Sequence, residues 1–154
     1  MASITKTGQD YLRDASGVEA LGPFTARFLA EGDSWMDRST LVSGSLPEYL
    51  AREMNRRHRS DLIINIATAG DTLRRITDVM QGDFAWWLRQ FRYDAILFSA
   101  GGNDFIDAAV DPDPGDGILR HMAGEPLPAD GYACVNSAAV ATLVNDYLNP
   151  NFDT

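Results

Sequence analysis

The chain has 154 residues, of which 45% are hydrophobic and 23% are charged, with a formal net charge of −9. This composition is typical of one soluble globular domain (residues 1–154) with room for a core, and the acidic balance argues against a nucleic-acid partner. Because the sequence starts without a signal peptide and has no membrane-spanning apolar run, we expect a cytoplasmic protein.

The first elements in chain order predict a parallel sheet. Residues 1–23 are polar and are predicted to form an N-terminal arm with a short helix around Gly8 to Ala20. Strands are predicted at residues 24–31, Asp61 to Ala67 and Asp94 to Ala100. The last two are near-continuous apolar runs, as in parallel strands that are buried on both faces.

Helical patterns separate these strands. The spacing Ser45-x-x-Glu48 is that of a capping box before a helix. Two apolar stripes at helical spacing follow, one of Leu46, Tyr49, Leu50 and Met54 and one of Leu73, Ile76, Val79 and Met80. Further helices are predicted at Phe84–Phe91 and 132–148, and loops at 111–117 and 124–131. The alternation predicts right-handed crossovers and an α/β fold. Three strands are few for such a sheet, which predicts an incomplete fold with an exposed edge that could self-associate.

Each predicted strand ends in a turn of small or polar residues. These turns are Gly32-Asp33-Ser34, Ala69-Gly70-Asp71-Thr72 and Gly101-Gly102-Asn103-Asp104. The carboxyl ends of parallel strands share one edge of a sheet, so the turns can converge there. A hydroxyl nucleophile with neighbouring N–H donors suits acyl transfer, because the tetrahedral intermediate carries an oxyanion.

The chain resembles the SGNH (GDSL-type) serine hydrolase family over roughly residues 24–107, because it carries GDS, a following glycine and GGND in this order. The resemblance implies a flavodoxin-like three-layer α/β/α fold, ester hydrolysis of a small acylated substrate and no metal or cofactor. It makes Ser34 the nucleophile, with the backbone N–H groups of Ser34 and Gly70 and the side chain of Asn103 as the oxyanion hole. Trp35 stands where the family motif usually has leucine.

The family's Asp-x-x-His block, which supplies the general base, occurs nowhere in the chain. His121 follows Asn103 too closely to match that block, and His58 is predicted to lie at a helix C-terminus, so both are interpreted as structural or surface residues. We therefore expect the chain to be the N-terminal portion of a longer hydrolase.

Other interpretations of these residues stay open. Ser34 could be a helix N-cap and Gly70 a plain turn residue, while Asp33 is expected to support its turn and Asp104 to cap the next helix. The aromatic residues Phe84, Trp86, Trp87 and Phe91 are expected to pack in the core rather than to bind an acyl group.

The lone Cys134 is expected to be a buried small residue, and the acidic loop of Asp111, Asp113 and Asp116 a solvated one. A non-catalytic domain that binds acylated or carbohydrate ligands is the main alternative function. A nucleotide-binding protein is disfavoured because no glycine-rich phosphate loop is present.

Overall fold

Four parallel strands form the sheet of this protein. The structure is a computed structural model that describes residues 2–37, 44–73, 75–76, 81–110, 117–119, 126, 129–130 and 134–152. The strands are β1 (Ile4–Thr7), β2 (Ala26–Gly32), β3 (Asp61–Asn65) and β4 (Ala95–Ser99), in the order β1-β3-β2-β4. All pairings are parallel, which confirms the predicted α/β fold class.

Side-chain hydrogen bonds cap the starts of some of the described helices. They are α1 (Gly8–Arg13), α2 (Ala15–Ala20), α3 (Leu46–Arg56), α4 (Gln81–Gln90), α5 (Gly102–Val110), α6 (Ser137–Thr142), a π-helical segment (Leu143–Leu148) and α7 (Asn149–Phe152). The helix predicted around Gly8 to Ala20 is two helices, because Asp14 ends α1 and its side chain accepts the N–H of Gly17 to start α2. The N–H of Ser45 donates to Glu48 at 3.2 Å before α3.

The sheet is covered on both faces, which gives the three-layer arrangement. On one face Leu29, Leu62 and Ile64 form a buried cluster with Tyr11 of α1 and Trp87 of α4. On the other face, the cluster of buried residues is Ala30, Ile63 and Ala51 of α3, with Phe28, Leu50, Met54 and Leu97 packed against it. Neighbouring residues of β2 and β3 therefore point to opposite layers, as the two-residue period of a strand requires.

The N-terminal arm predicted for residues 1–23 contributes a strand that was not predicted. β1 pairs with β3 from Ile4↔Leu62 to Thr7↔Asn65. Thr5 Oγ1 also donates to Pro47 O at 3.1 Å, which ties the strand to α3. The strand escaped prediction because its four residues, ITKT, are short and largely polar.

Burial on both faces was predicted correctly for β3 but wrongly for β4. All five residues of β3 are buried, whereas Ile96 and Phe98 of β4 are exposed. In the described chain β4 is an edge strand with one partner, so its apolar residues are not covered as β3 is. Self-association through this edge stays a prediction.

Two predicted helical stripes are only partly buried. Leu46 and Tyr49 of α3 are exposed, and that helix instead buries Pro47 and Ala51. Leu73 and Ile76 are buried as predicted, while Val79 and Met80 lie outside the described residues, as do the loop at 111–116 and most of that at 124–131. The helix predicted from residue 132 begins at Ser137. In the described chain, none of the helices has the length and apolarity needed to cross a bilayer.

Candidate functional site

Gly32, at the end of β2, lies in close contact with β4. Its φ is +151°, and a Cβ at this position would lie 2.2 Å from the backbone oxygen of Ser99. The next residue, Asp33, donates its N–H to the same Ser99 oxygen at 3.0 Å. A side chain at position 32 would therefore push β2 and β4 apart, and glycine is required here.

Asp33 holds the first turn together, as predicted. Its buried carboxylate accepts the N–H of Trp35 at 3.1 Å and the hydroxyl of Ser99 at 3.2 Å, both through Oδ1. Its backbone oxygen accepts the N–H groups of Met36 and Asp37, each at 3.0 Å. Ser34 is half-buried and lies in a tight turn that the hydrogen bonds of Asp33 hold in place.

The second turn is bonded to the first. Thr68 donates its N–H to Gly32 O at 3.2 Å, and Ala69 donates its N–H to Asp37 Oδ2 at 2.8 Å. Gly70 follows with φ +85°, is exposed, and has no atom within 4 Å of where its Cβ would be. The empty space at this position means that the backbone angle, rather than packing, favours glycine here.

The third turn is bonded to the second. The side-chain amide of Asn103 donates to Asp71 O at 2.9 Å, and the N–H of Leu73 donates to Asp104 Oδ2 at 2.8 Å. Asp104 was expected to cap the following helix. It lies instead within the first turn of α5, which begins at Gly102, and its buried carboxylate connects two turns.

The structure therefore brings the three predicted turns together at one edge of the sheet. Taken with the flanking residues Asp37, Thr68, Leu73 and Ser99, each pair of these segments shares two hydrogen bonds. The strand ends that carry Ser34, Gly70 and Asn103 are therefore connected. β2 lies between β3 and β4, where the strand order reverses. Open α/β sheets bind ligands outside the carboxyl ends of their strands at such a point.

Neither histidine joins this unit in the described chain. His58 is exposed with φ +58°, just after the end of α3 and before the start of β3. It thus lies at the amino edge of the sheet, opposite Ser34, which agrees with its interpretation as a surface residue. His121 lies outside the described residues.

A cavity of about 650 Å³ lies beside the first two turns, at the carboxyl ends of β1, β2 and β3. Its lining does not include Ser34, Gly70 or Asn103. It consists of three acidic residues (Glu31, Asp37 and Asp83), five other polar or glycine residues (Thr7, Gly8, Gln9, Asn65 and Thr68) and five apolar ones (Leu12, Ile66, Ala67, Trp86 and Trp87).

Glu31 is the residue of this cavity that sequence reasoning missed. It is 3% exposed, and burial raises its pKa to about 7. The N–H of Gly32, which donates to Glu31 Oε1 at 2.8 Å, offsets part of this rise, while the charges of Asp71 and Asp83 add to it. A glutamate that directly follows the apolar run Phe28–Ala30 and ends the predicted strand 24–31 was a signal that could have identified it.

Another carboxylate near the turns, that of Asp71, has a cationic partner that offsets part of the cost of its burial. Burial raises the pKa of Asp71, and Arg75 opposes this rise through an ion pair of 3.1 Å between its Nε and Asp71 Oδ1. No group of three histidine, cysteine or acidic side chains that could hold a metal ion occurs among the residues that the structure describes. Asp111, Asp113 and Asp116 lie outside them.

The aromatic residues of α4 divide into two roles. Trp87 is buried in the core, with Phe84 and Phe91 packed against its cluster, as predicted. Trp86 is 39% exposed and lines the cavity. Its ring also packs edge-on against that of Trp87, with 5.2 Å between the ring centroids. Cys134 is half-buried and has no disulfide partner.

Comparison with known proteins gives a partial likeness. Neither a family model nor a curated protein matched the sequence. Among solved structures, AlinE4, an SGNH-hydrolase family esterase, is 27% identical with a TM-score of 0.42 over 56% of this chain and 44% of that one. A mutant of the same esterase gives the same identity and TM-score over 56% of this chain and 45% of the other. The chain thus spans less than half the length of these similar structures.

Proposed function

We propose that this chain carries the nucleophile and oxyanion hole of a serine ester hydrolase of the SGNH type. The observation that supports the proposal best is the set of hydrogen bonds that links the three strand ends carrying Ser34, Gly70 and Asn103. These bonds hold the three strand ends next to one another, as an oxyanion hole assembled from three turns requires.

Each residue has a defined role in the proposed reaction. The Ser34 hydroxyl attacks the carbonyl carbon of a carboxylic ester, its proton passes to a base, and the alcohol leaves after taking up a proton. Water then hydrolyses the acyl-serine and releases the acid. The N–H groups of Ser34 and Gly70 stabilise the oxyanion, together with the second N–H of the Asn103 amide, whose first N–H donates to Asp71 O. Removing one such donor typically raises the barrier by about 3 kcal/mol.

The general base is the part of the mechanism that the described residues do not supply. A serine hydroxyl needs a base to become an efficient nucleophile. Glu31 precedes Ser34 by three residues, but its carboxyl accepts the N–H of Gly32 and lines the adjoining cavity. We therefore assign it no role in the attack, and we propose that the base comes from a segment beyond those described.

Covalent labelling tests this function. The Ser34 oxygen should bond to the phosphorus of a fluorophosphonate probe and displace fluoride, and added imidazole should accelerate labelling by accepting the hydroxyl proton. Mass spectrometry should place the label on Ser34. Ser34→Ala should abolish labelling, whereas Ser16→Ala, at an exposed serine of α2, should not change it.

A matched pair of asparagine variants tests the oxyanion hole. Asn103→Ala should slow labelling about a hundredfold, which corresponds to the loss of one oxyanion donor. Asn145→Ala, at an exposed position of the π-helical segment, should label normally. A chain that stays unlabelled even with imidazole would contradict the hydrolase proposal and favour the non-catalytic binding domain.

A further inference from the structure

The charged residues that line the cavity beside the first two turns are all acidic. Acidic side chains of β2, of the segment after the first turn and of α4 line it, namely Glu31, Asp37 and Asp83, and none of the described residues in its lining is a lysine, arginine or histidine. These carboxylates disfavour an anionic ligand. At about 650 Å³ the cavity is within the usual size range for small-molecule sites, roughly 300–1,000 Å³.

Glu31 is a buried carboxyl without a cationic partner among the residues that the structure describes. It is 3% exposed, and the one hydrogen-bond donor that the described chain gives it is the N–H of Gly32, at Oε1. Its second oxygen therefore has no protein donor in this part of the chain, although the residue lines the cavity. A buried carboxylate without a counter-charge is unfavourable, and a bound cation would relieve this cost.

Trp86 adds an aromatic surface to the same cavity. Its indole is 39% exposed and belongs to the lining, while the edge contact with Trp87 helps to fix its position. The face of an indole attracts cations within about 6 Å of the ring centroid. A carboxylate and an indole in one cavity are the two groups that recognise organic ammonium ions.

We propose that this cavity binds a small organic cation of the alkylammonium class, held by the carboxylate of Glu31 and by the indole of Trp86. The site does not depend on the proposed hydrolase function, because its lining excludes Ser34, Gly70 and Asn103. A metal ion is a poorer occupant, since no three potential metal ligands come together in the described residues. A neutral sugar would leave the charge of Glu31 uncompensated.

Protonation provides a specific signature of the site. Because the pKa of Glu31 is about 7, the carboxyl is mostly protonated at pH 6 and mostly ionised at pH 8. The charged groups that act on it are Asp71 and Asp83, and Asp37 lines the same cavity. A cation binds the ionised form, so binding should strengthen from pH 6 to pH 8 and should release protons from Glu31 at pH 6.

Titration with choline tests the proposal, and 3,3-dimethylbutan-1-ol serves as an uncharged ligand of the same shape. Calorimetry and tryptophan fluorescence at constant ionic strength should show saturable binding of choline and much weaker binding of the alcohol. Repeating the pH 6 titration in buffers of different ionisation enthalpy should reveal proton release in the wild type.

Three variants complete the test. Glu31→Gln and Trp86→Ala should each weaken choline binding about tenfold, which is about 1.4 kcal/mol, and Glu31→Gln should remove the proton release. Asp83→Asn, at an exposed position, should weaken binding less and serves as a second acidic variant. Glu53→Gln, on α3 outside the cavity lining, should bind as the wild type does.

Several outcomes would overturn the proposal. These are no saturable choline binding by the wild type, wild-type affinity in Glu31→Gln or in Trp86→Ala, or equal binding of choline and the alcohol, which indicates a purely apolar pocket. Saturable binding of glucose without binding of choline would also overturn it and would favour a carbohydrate site.

Discussion

Two glycine-to-alanine substitutions separate a glycine that packing requires from one that only a backbone angle favours. Both Gly32 and Gly70 have positive φ, of +151° and +85°. A Cβ on Gly32 would lie 2.2 Å from Ser99 O, whereas a Cβ on Gly70 would meet no atom within 4 Å. Both variants change the entropy of the unfolded chain in the same way, so this effect cancels in their comparison.

The expected free energies follow from these contacts. Backbone strain in an unfavourable φ region costs about 1–3 kcal/mol, and forcing atoms into a packed position adds about 1–3 kcal/mol. We therefore expect Gly32→Ala to lower the free energy of unfolding by about 4 kcal/mol. Gly70→Ala has no clash and should lower it by about 1–2 kcal/mol, the cost of a left-handed backbone conformation alone.

Urea unfolding followed by circular dichroism measures both values, provided that the two variants and the wild type unfold with the same dependence on denaturant. The stability loss of Gly32→Ala should exceed that of Gly70→Ala by at least about 1 kcal/mol, because the overpacking contribution is unique to it. Equal losses would show that β2 and β4 can separate at Gly32 without cost, and the close approach of these strands would then not explain the glycine.

Four further substitutions test the energetics of the strand ends and the core. The pKa of Glu31 is about 7 in the folded protein and 4.5, its ordinary value, in the unfolded chain. The free energy of unfolding of the wild type should therefore fall by up to about 3 kcal/mol as the pH rises between these values. Glu31→Gln should not show this decrease, and in urea titrations at pH 8 it should be more stable than the wild type. Asp104→Ala removes the acceptor of the Leu73 N–H, which should lower stability by about 1–3 kcal/mol and slow fluorophosphonate labelling of Ser34. Trp87→Ala should lower stability by about 3–5 kcal/mol in the same urea assay, and Trp86→Ala by much less, because Trp87 is the one that is buried in the core.

The parallel sheet could be predicted because its central strands carry a strong local signal. Asp61 to Ala67 is a nearly uninterrupted apolar run, and runs of this kind are typical of strands buried on both faces. β1 has no such signal, since its four residues become a strand only through their pairing with β3. The exposure of β4 depends on which strand lies at the edge, a property that no local pattern contains.

The site shows the same division between local and tertiary information. Gly32, Gly70 and Asn103 could be found because small and polar residues at strand ends are visible in the sequence. The bonds from Leu73 to Asp104 and from Ala69 to Asp37 join residues about thirty positions apart, so only the fold reveals them. Asp104 was therefore expected to serve its own helix, although its carboxylate stabilises the neighbouring turn.

Gly32 connects the candidate catalytic turns with the acidic cavity. Its N–H donates to the carboxyl of Glu31, its backbone oxygen accepts the N–H of Thr68, and its missing side chain allows Ser99 to approach. Glu31 and Thr68 line the cavity, whereas Ser99 bonds to the turn that carries Ser34. One backbone unit thus sets the positions of both sites. Because its N–H stabilises the ionised form of Glu31, the same peptide group that ends β2 also favours the charge that a bound cation would need.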